Sequence, residues 1–225
     1  MKSETTQAIV LRRTDYGEAD RIIQFCTPAG KRTAMARGVR RPKSKLAGGI
    51  ELLSESDIVL RQGRGDIATL VQARMSVFYK NILADYDRLQ FAYEALKHVA
   101  RVSEIVDEPD WYVILKETLM GLDDVSTSLA LIKAWFFVQF SKTLGEELSL
   151  WRDIDGEKIK AATNYTYDVS SKGLREQLNG ELNENHLKLL RLVSQKPLRI
   201  VRKVGGVQEY VATCANVAIR HASLS

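Results

Sequence analysis

A chain of 225 residues with 45% hydrophobic and 27% charged residues has the composition of an ordinary globular protein and can bury a core. Its longest apolar block, residues 134–138, is far shorter than the roughly 20 residues of a membrane helix, so we expect no membrane association. The first residues, MKSETTQ, include Glu4 and lack an apolar segment, which excludes a secretory signal of the usual kind. We therefore expect a cytoplasmic protein.

The cysteine and histidine content argues against a metal site. The only cysteines, Cys26 and Cys214, lie in apolar contexts, which is typical of buried reduced thiols. A structural zinc site needs about four Cys or His ligands in close pairs. The three histidines, His98, His186 and His221, are scattered along the chain. We therefore predict neither a metal nor a cofactor.

The charge is distributed unevenly along the chain. Residues 1–80 contain 15 Lys/Arg and 8 Asp/Glu, a net charge of +7, whereas the remainder contains 18 and 20, a net charge of −2. Such asymmetry indicates a basic module joined to a nearly neutral one. A basic surface binds nucleic-acid phosphates and releases their counterions, independently of the base sequence of the nucleic acid.

The basic N-terminal part has the pattern of a small β-domain. Short runs of alternating or β-branched residues are separated by Gly-containing connections. Five strands in about 70 residues suit a closed barrel, of which the OB-fold is the five-stranded form. We predict an OB-fold domain over residues 1–79, with strands at residues 8–11, 21–27, 31–38, 56–61 and 67–75.

From about residue 80 the apolar residues repeat with a helical period, which predicts a helical domain over residues 80–225. The whole chain is therefore predicted to be an α+β protein. A short helix is expected at residues 111–121, and an almost wholly apolar, central helix at 126–144. The first helix is predicted to bury one apolar stripe, made of Ile82, Tyr86, Leu89, Tyr93, Leu96 and Ala100.

The C-terminal third begins with an irregular insert over residues 146–182, with one strand at 165–169 and a possible helical element at 171–178. Asn183 is suited to cap a helix that runs to Ser194. The last helix is predicted to bury the stripe Val207, Val211, Cys214, Ala218 and His221.

The densest chemical signal is the segment KRTAMARGVRRPKSK, residues 31–45, which has seven cations and no acid. Phosphate binding is the leading interpretation, and a solvated loop or contact with an acidic protein segment are the alternatives. If four to six phosphates of a single strand are neutralised, log K falls with log salt with a slope of roughly −3 to −4. The predicted phosphate ligands are Arg21, Lys31, Arg32, Arg37, Arg40, Arg41, Lys43 and Lys45.

Aromatic residues that can stack on bases are sparse in the β-domain. Phe25 lies in the middle of a predicted strand and is expected in the core. Tyr16 lies in a turn and is the better candidate for stacking, although an ordinary turn tyrosine is equally consistent with the pattern. We expect binding dominated by the nucleic-acid backbone.

Signals for catalysis are weak. The chain lacks the Gly-rich phosphate loop that ends in GK[ST], and it has neither GxSxG nor HExxH. Its paired carboxylates lie at predicted helix ends, where the helix dipole or solvation accounts for them. We predict that the protein has no catalytic residues and is not an enzyme.

The segment YGEADRIIQFCTPAGKRTAMARGVRRPKSKL, residues 16–46, resembles the N-terminal signature of the RecO family of bacterial recombination mediators. The order of a β-barrel and then a helical domain is also similar. Many family members carry a CxxC…CxxC zinc site, but residues 144–178 contain no cysteine. The residues that match the signature are Tyr16, Glu18, Asp20, Thr27, Gly30, Lys31, Ala36, Arg37, Gly38, Arg40, Arg41, Lys43 and Ser44.

The resemblance implies a nucleoid-associated, non-enzymatic protein that acts in DNA repair and recombination after DNA damage. It implies binding to single- and double-stranded DNA, strand annealing, contact with the acidic C-terminal tail of the single-stranded-DNA-binding protein (SSB), and loading of the RecA recombinase together with RecR. Four cations of the helical domain are candidates for contact with the SSB tail, with plain solvated surface equally consistent: Lys196, Arg199, Arg202 and Lys203.

Two other functions remain open on the sequence. One is an RNA-binding or ribosome-associated OB-fold protein whose helical domain serves for docking. The other is a phosphate-ester enzyme with a basic groove, which the lack of clustered carboxylates disfavours.

Overall fold

Alternating apolar residues in the N-terminal part form a closed five-stranded barrel with strand order β1-β2-β3-β5-β4. The structure is a computed structural model that describes residues 3–63, 65 and 67–223. Neighbouring strands are antiparallel, except that β3 runs parallel to β5. The predicted OB-type barrel and α+β class are confirmed. The strands are β1 (Ser3–Tyr16), β2 (Asp20–Thr27), β3 (Gly30–Ala36), β4 (Ser54–Arg61) and β5 (Ala68–Phe78).

The barrel closes on a core of mostly aliphatic side chains with one phenylalanine. Phe25 is fully buried in it, as the sequence predicted, and so are Ala34 and Ala36 on the inward face of β3. Gly49 packs directly against β5, since a Cβ atom added there would lie 2.4 Å from the carbonyl carbon of Ala73. Cys26 is buried and reduced, as expected, and burial raises the pKa of its thiol to about 12.

Two helices, α1 (Tyr86–Val102) and α2 (Asp110–Asp123), belong to the same compact unit as the barrel. The strands end at Phe78, next to the predicted domain boundary at residues 79/80, but the unit extends to Asp123 because both helices contact β1.

The stripe predicted for the first helix is wrong at both of its tyrosines, because Tyr86 is 76% and Tyr93 is 45% exposed. The helix is rotated so that the stem of Arg88 enters the interior, where its guanidinium donates to the carbonyl of Leu122 at 2.9 Å. Ile82 and Leu96 of the predicted stripe are fully buried, and Leu89 and Ala100 are half-buried. The buried face consists of Arg88, Phe91, Ala92, Ala95, Leu96 and Val99.

A buried carboxylate ties α2 to the barrel. Glu55 on β4 is 2% exposed and accepts hydrogen bonds from the hydroxyls of Tyr79 and Tyr112, the latter at 3.1 Å. Lys116 supplies the counter-charge, with Nζ 2.8 Å from a Glu55 oxygen. Burial, reinforced by the adjacent carboxylate, raises the pKa of both tyrosines, so both remain hydrogen-bond donors.

The second compact unit, Asp124–Ser225, is built around α3. This helix packs against α4 and α6, and its apolar residues are almost all buried, which confirms the predicted central helix. Asn183 caps α4 by accepting from the backbone N–H of His186, as predicted. The elements are α3 (Leu129–Thr143), β6 (Tyr165–Asp168), β7 (Gly173–Glu176), α4 (Glu184–Gln195), α5 (Leu198–Val201) and α6 (Gln208–Ala222).

The irregular insert holds a β-hairpin instead of the expected helical element at residues 171–178. That segment forms β7, which pairs antiparallel with β6, and Lys172 takes the positive φ of 49° that the tight turn requires. The hydroxyl of Tyr167 lies 2.9 Å from Nδ1 of His221, whose Nε2 lies 2.7 Å from the carbonyl oxygen of Glu146. A buried histidine on α6 therefore links the start of the insert to its hairpin.

The insert does not fit a zinc ion. Residues 144–178 contain neither Cys nor His, and no group of three or more His, Cys, Asp or Glu residues in the described part of the chain could hold a metal. An ion pair from Arg175 to Asp168, at 2.7 Å, stabilises the hairpin across its two strands. No helix among the described residues is both long and apolar enough to span a bilayer.

Candidate nucleic-acid interface

The basic loop, residues 37–45, leaves the end of β3 and lies beside the β1–β2 turn. Gly38 opens it with a φ of +63°, and its N–H donates to the Asp20 carboxylate at 2.7 Å. The backbone N–H of Arg40 donates to the carbonyl of Ala19 at 2.9 Å. These bonds place a strongly cationic loop next to Tyr16, which is 56% exposed at the end of β1.

Four side chains of the basic loop are exposed and form no ion pair with any described residue: Arg37, Arg41, Lys43 and Lys45. Arg40 is partly engaged, because its guanidinium contacts the carbonyl of Gly17 at 3.3 Å and an Asp15 oxygen at 3.6 Å. The loop therefore presents most of its positive charge to solvent, where an anion can replace water.

The remaining predicted phosphate ligands are paired with carboxylates. Arg21 donates to Asp15 at 2.7 Å, and this bond lowers the pKa of Asp15. Lys31 and Arg32 lie at the opposite end of β3, about 20 Å from the basic loop at the usual rise of a strand. Lys31 contacts Glu104 at 2.5 Å, and Arg32 contacts Glu4 at 3.3 Å. The structure thus divides the predicted set into exposed and neutralised cations.

A side of the barrel that the sequence did not reveal adjoins the loop. The strand register aligns Arg12 with Gln24, and Gln24 with Thr33, so these three project on one side. Since Ile23 and Ala34 point into the core, this side is the outer face, which also carries Tyr16. Arg12 is exposed on it and makes no ion pair among the described residues. Arg12 could be identified as part of this face only from the pairing register of β1 and β2.

The outer face overlaps the part of an OB-fold that binds oligonucleotides, and the basic loop, which follows β3, lies beside that part. That part comprises strands 2 and 3 together with the loops after strands 1 and 4. Here the turn after β1 hydrogen-bonds to the basic loop, and β2 and β3 form the centre of the outer face. The geometry favours an extended anion that lies across β1–β3 with its phosphates at the loop.

Comparisons with known proteins agree with this architecture. The family model "Recombination protein O N terminal" matches residues 1–78, which is the barrel. A "DNA repair protein RecO" of Roseiflexus sp. (strain RS-1) is 30% identical over 203 residues, which cover 87% of this chain and 71% of that protein. The chain belongs to the RecO family. A second relative with the same description, from Dehalococcoides mccartyi (strain CBDB1), is 30% identical over 199 residues, or 84% of this chain and 78% of that protein.

The family assignment extends past the barrel, because the aligned regions of these relatives cover most of the chain. A RecO protein of Heliobacterium modesticaldum is 34% identical over 166 residues, which cover 72% of this chain and 59% of its own length. The resemblance noted in residues 16–46 is therefore confirmed at the level of the family.

The cations suggested for contact with a protein tail surround α5 in the second unit. Lys196, Arg199, Arg202 and Lys203 are all exposed, but Arg202 is held by Asp124 at 2.6 Å. Leu198 and Val201, the apolar residues between them, are buried in the unit. Only Ile200, 45% exposed, offers apolar surface in this segment. A role for these four cations in partner binding stays a prediction.

Proposed function

We propose that this member of the RecO family acts in DNA repair by binding DNA without catalysing a reaction, through the basic loop and the outer face of its barrel. The observation that carries the proposal is the set of four exposed cations that have no carboxylate partner among the described residues and lie beside an exposed tyrosine. Unpaired surface cations give up only water and counterions when they bind phosphate, so they contribute fully to affinity.

The expected mode of binding is dominated by the DNA backbone. Tyr16 is the one aromatic residue next to the loop, since Phe25 belongs to the core. With few stacking platforms and many cations, affinity is expected to depend strongly on salt and weakly on base sequence. The same surface suits single- and double-stranded DNA, because both present a regular array of phosphates.

The proposal extends to the mediator activities that the family resemblance implies. These are annealing of complementary strands, action on SSB-coated DNA through the acidic tail of SSB, and recombinase loading together with RecR in the cytoplasmic nucleoid. The relatives named "DNA repair protein RecO" support the repair role. A protein that holds strands by their phosphates leaves the base edges free to pair, which is consistent with annealing.

Binding of a fluorescent single strand by a charge-reversed loop variant tests the proposal. In this variant Arg37, Arg41, Lys43 and Lys45 are all changed to Glu. We expect its affinity for single-stranded DNA to fall by at least about 100-fold at low salt, since four attractive contacts become repulsive. A variant that binds as well as the wild type would overturn the proposal.

Competition between DNA and RNA strands of equal length and sequence separates the proposal from an RNA-binding function. Comparable or stronger binding of DNA supports the repair role. A clear preference for RNA would favour the ribosome-associated alternative, because only contacts to the 2′-hydroxyl distinguish the two polymers at a given site.

A further inference from the structure

A groove of about 610 Å³ runs between α1 and the outer face of the barrel. Its apolar floor consists of three leucines and an alanine, and the rest of its lining is Tyr93 together with polar and charged side chains. The apolar residues are Leu11, Leu52, Leu96 and Ala100. The whole groove lies within the first compact unit. Its cationic lining residues are Arg12, Lys97 and Arg101.

The outward side of α1 borders this groove and is unusual for a helix surface. Tyr86 and Tyr93, 76% and 45% exposed, are seven residues apart and therefore lie on the same side, roughly 10 Å from each other. Lys97 follows Tyr93 by one turn on that side, and Arg101 follows Lys97 by another. Two exposed aromatic rings followed by two cations thus share one side of α1, and of these Tyr93, Lys97 and Arg101 line the groove.

The electrostatics of the groove favour an anion. Arg12, Lys97 and Arg101 are exposed and form no ion pair in the part of the chain that the structure describes. The one acid in the lining, Glu104, is already engaged by Lys31 at 2.5 Å and by Gln24 at 2.8 Å. These bonds lower the pKa of Glu104, with Lys31 as the main cause, so the carboxylate stays ionised and paired.

We propose that this groove binds a segment of single-stranded nucleic acid, with a base on Tyr93 and the neighbouring phosphates on Arg12, Lys97 and Arg101. The inference rests on the proposed function and adds a second contact surface to it. An exposed aromatic ring next to unpaired cations fits a single strand, whose base stacks on the ring while its backbone follows the charges.

The groove is continuous with the outer face, which gives the strand a path. Arg12 lies on both surfaces, and Tyr16 is four residues further along β1, about 13 Å at the usual rise of a strand. A strand whose phosphates bind the basic loop reaches the groove along β1. A duplex cannot follow it there, since its bases are paired and cannot stack on a side chain.

Binding of dT strands of two lengths tests the groove separately from the basic loop. One strand has about 20 nucleotides, longer than the 4–16 that one OB-fold usually covers, and the other about 6. We expect Tyr93→Leu to weaken binding of the long strand about 5-fold or more, and Tyr93→Phe to preserve it, because phenylalanine keeps the stacking surface. Binding of the short strand is expected to change less than 2-fold.

The cations are tested by the salt dependence of long-strand binding. Lys97→Gln with Arg101→Gln is expected to make the slope of log K against log salt about 1.4 shallower, from two lost phosphates at 0.7 each. The matched control is Arg74→Gln with Lys80→Gln, an equal loss of charge at exposed positions outside the groove, and it should keep the wild-type slope within about 0.3.

A base analogue reports directly on stacking. With 2-aminopurine in the long dT strand, binding is expected to quench its fluorescence in the wild type and in Tyr93→Phe, but not in Tyr93→Leu. The groove proposal is overturned if the groove variants match the wild type in affinity, fluorescence quenching and salt dependence. The proposed function still stands in that case, provided that the charge-reversed loop variant fails to bind. If the charge-reversed loop variant binds normally, the proposed function itself has failed.

Discussion

Replacing Arg41, Lys43 and Lys45 by glutamine removes three exposed positive charges that have no carboxylate partner among the described residues. Each phosphate contact to a single strand contributes about 0.7 to the slope of log K against log salt, so the slope should become shallower by about 2.1. Between 50 and 200 mM salt, the wild type should therefore lose about 20-fold more affinity than this variant. Titrations of a fluorescent dT strand at four salt concentrations measure the slope.

The contrasting variant changes Arg21, Lys31 and Arg32 to glutamine, which removes the same net charge. These three side chains are paired with Asp15, Glu104 and Glu4. Because a paired cation must first leave its carboxylate, we expect this variant to change the slope by less than about 0.7, the equivalent of one contact. Equal slopes for the two variants would refute the distinction between exposed and neutralised cations on which the interface rests.

Three predictions concern stability. Glu55→Ala leaves the buried hydroxyl of Tyr79 without its acceptor, and should lower the free energy of unfolding in urea by about 3 kcal/mol. A loss below about 1 kcal/mol would contradict a stabilising role of the hydrogen bonds to Glu55. Gly49→Ala places a Cβ against the β5 backbone and should cost at least about 2 kcal/mol by the same measurement, whereas Gly48→Ala, which meets nothing within 4 Å, should be nearly neutral. Burial lowers the pKa of His186, so the unfolded chain binds the proton more tightly, and the free energy of unfolding should decrease as the pH falls below about 6.5. The melting temperature of His186→Gln should lose that part of its pH dependence. An unchanged pH profile would contradict the assignment of this effect to His186.

The barrel was predictable because short apolar or alternating runs are separated by Gly-containing turns. Phe25 and Ala34 show this, since their burial follows from position in the strand alone. Four of the five strands are longer than predicted, however, and β1 most of all. Only four residues of β1 form an obvious apolar run, while the rest of that strand is stabilised by backbone pairing with β2 and β4, which the residue pattern does not express.

The orientation of α1 was not predictable, because two faces compete in its sequence. The tyrosine-containing stripe has the better apolar period, but the face with Arg88 is buried because its guanidinium finds the carbonyl of Leu122, 34 residues away. Burying an arginine is favourable only with such a partner, and the partner is set by the tertiary fold. The exposed Tyr86 and Tyr93 are the consequence.

Only part of the candidate site was predictable, because tertiary contacts decide which of its cations are neutralised. The run of cations in residues 31–45 is plain in the sequence, but which of them are neutralised is not. Lys31 meets Glu104 across 73 residues, and Arg32 meets Glu4 across 28. The loop cations stay exposed because the nearest acids, Asp15 and Asp20, are occupied by Arg21 and by the backbone N–H of Gly38.

The most direct test of the account is the rate at which complementary DNA strands coated with SSB anneal in the presence of the protein. We predict that the wild type accelerates annealing and that the charge-reversed loop variant does not, at equal concentration and with an unchanged melting temperature. Annealing by the variant at the wild-type rate would contradict the claim that the basic loop holds DNA.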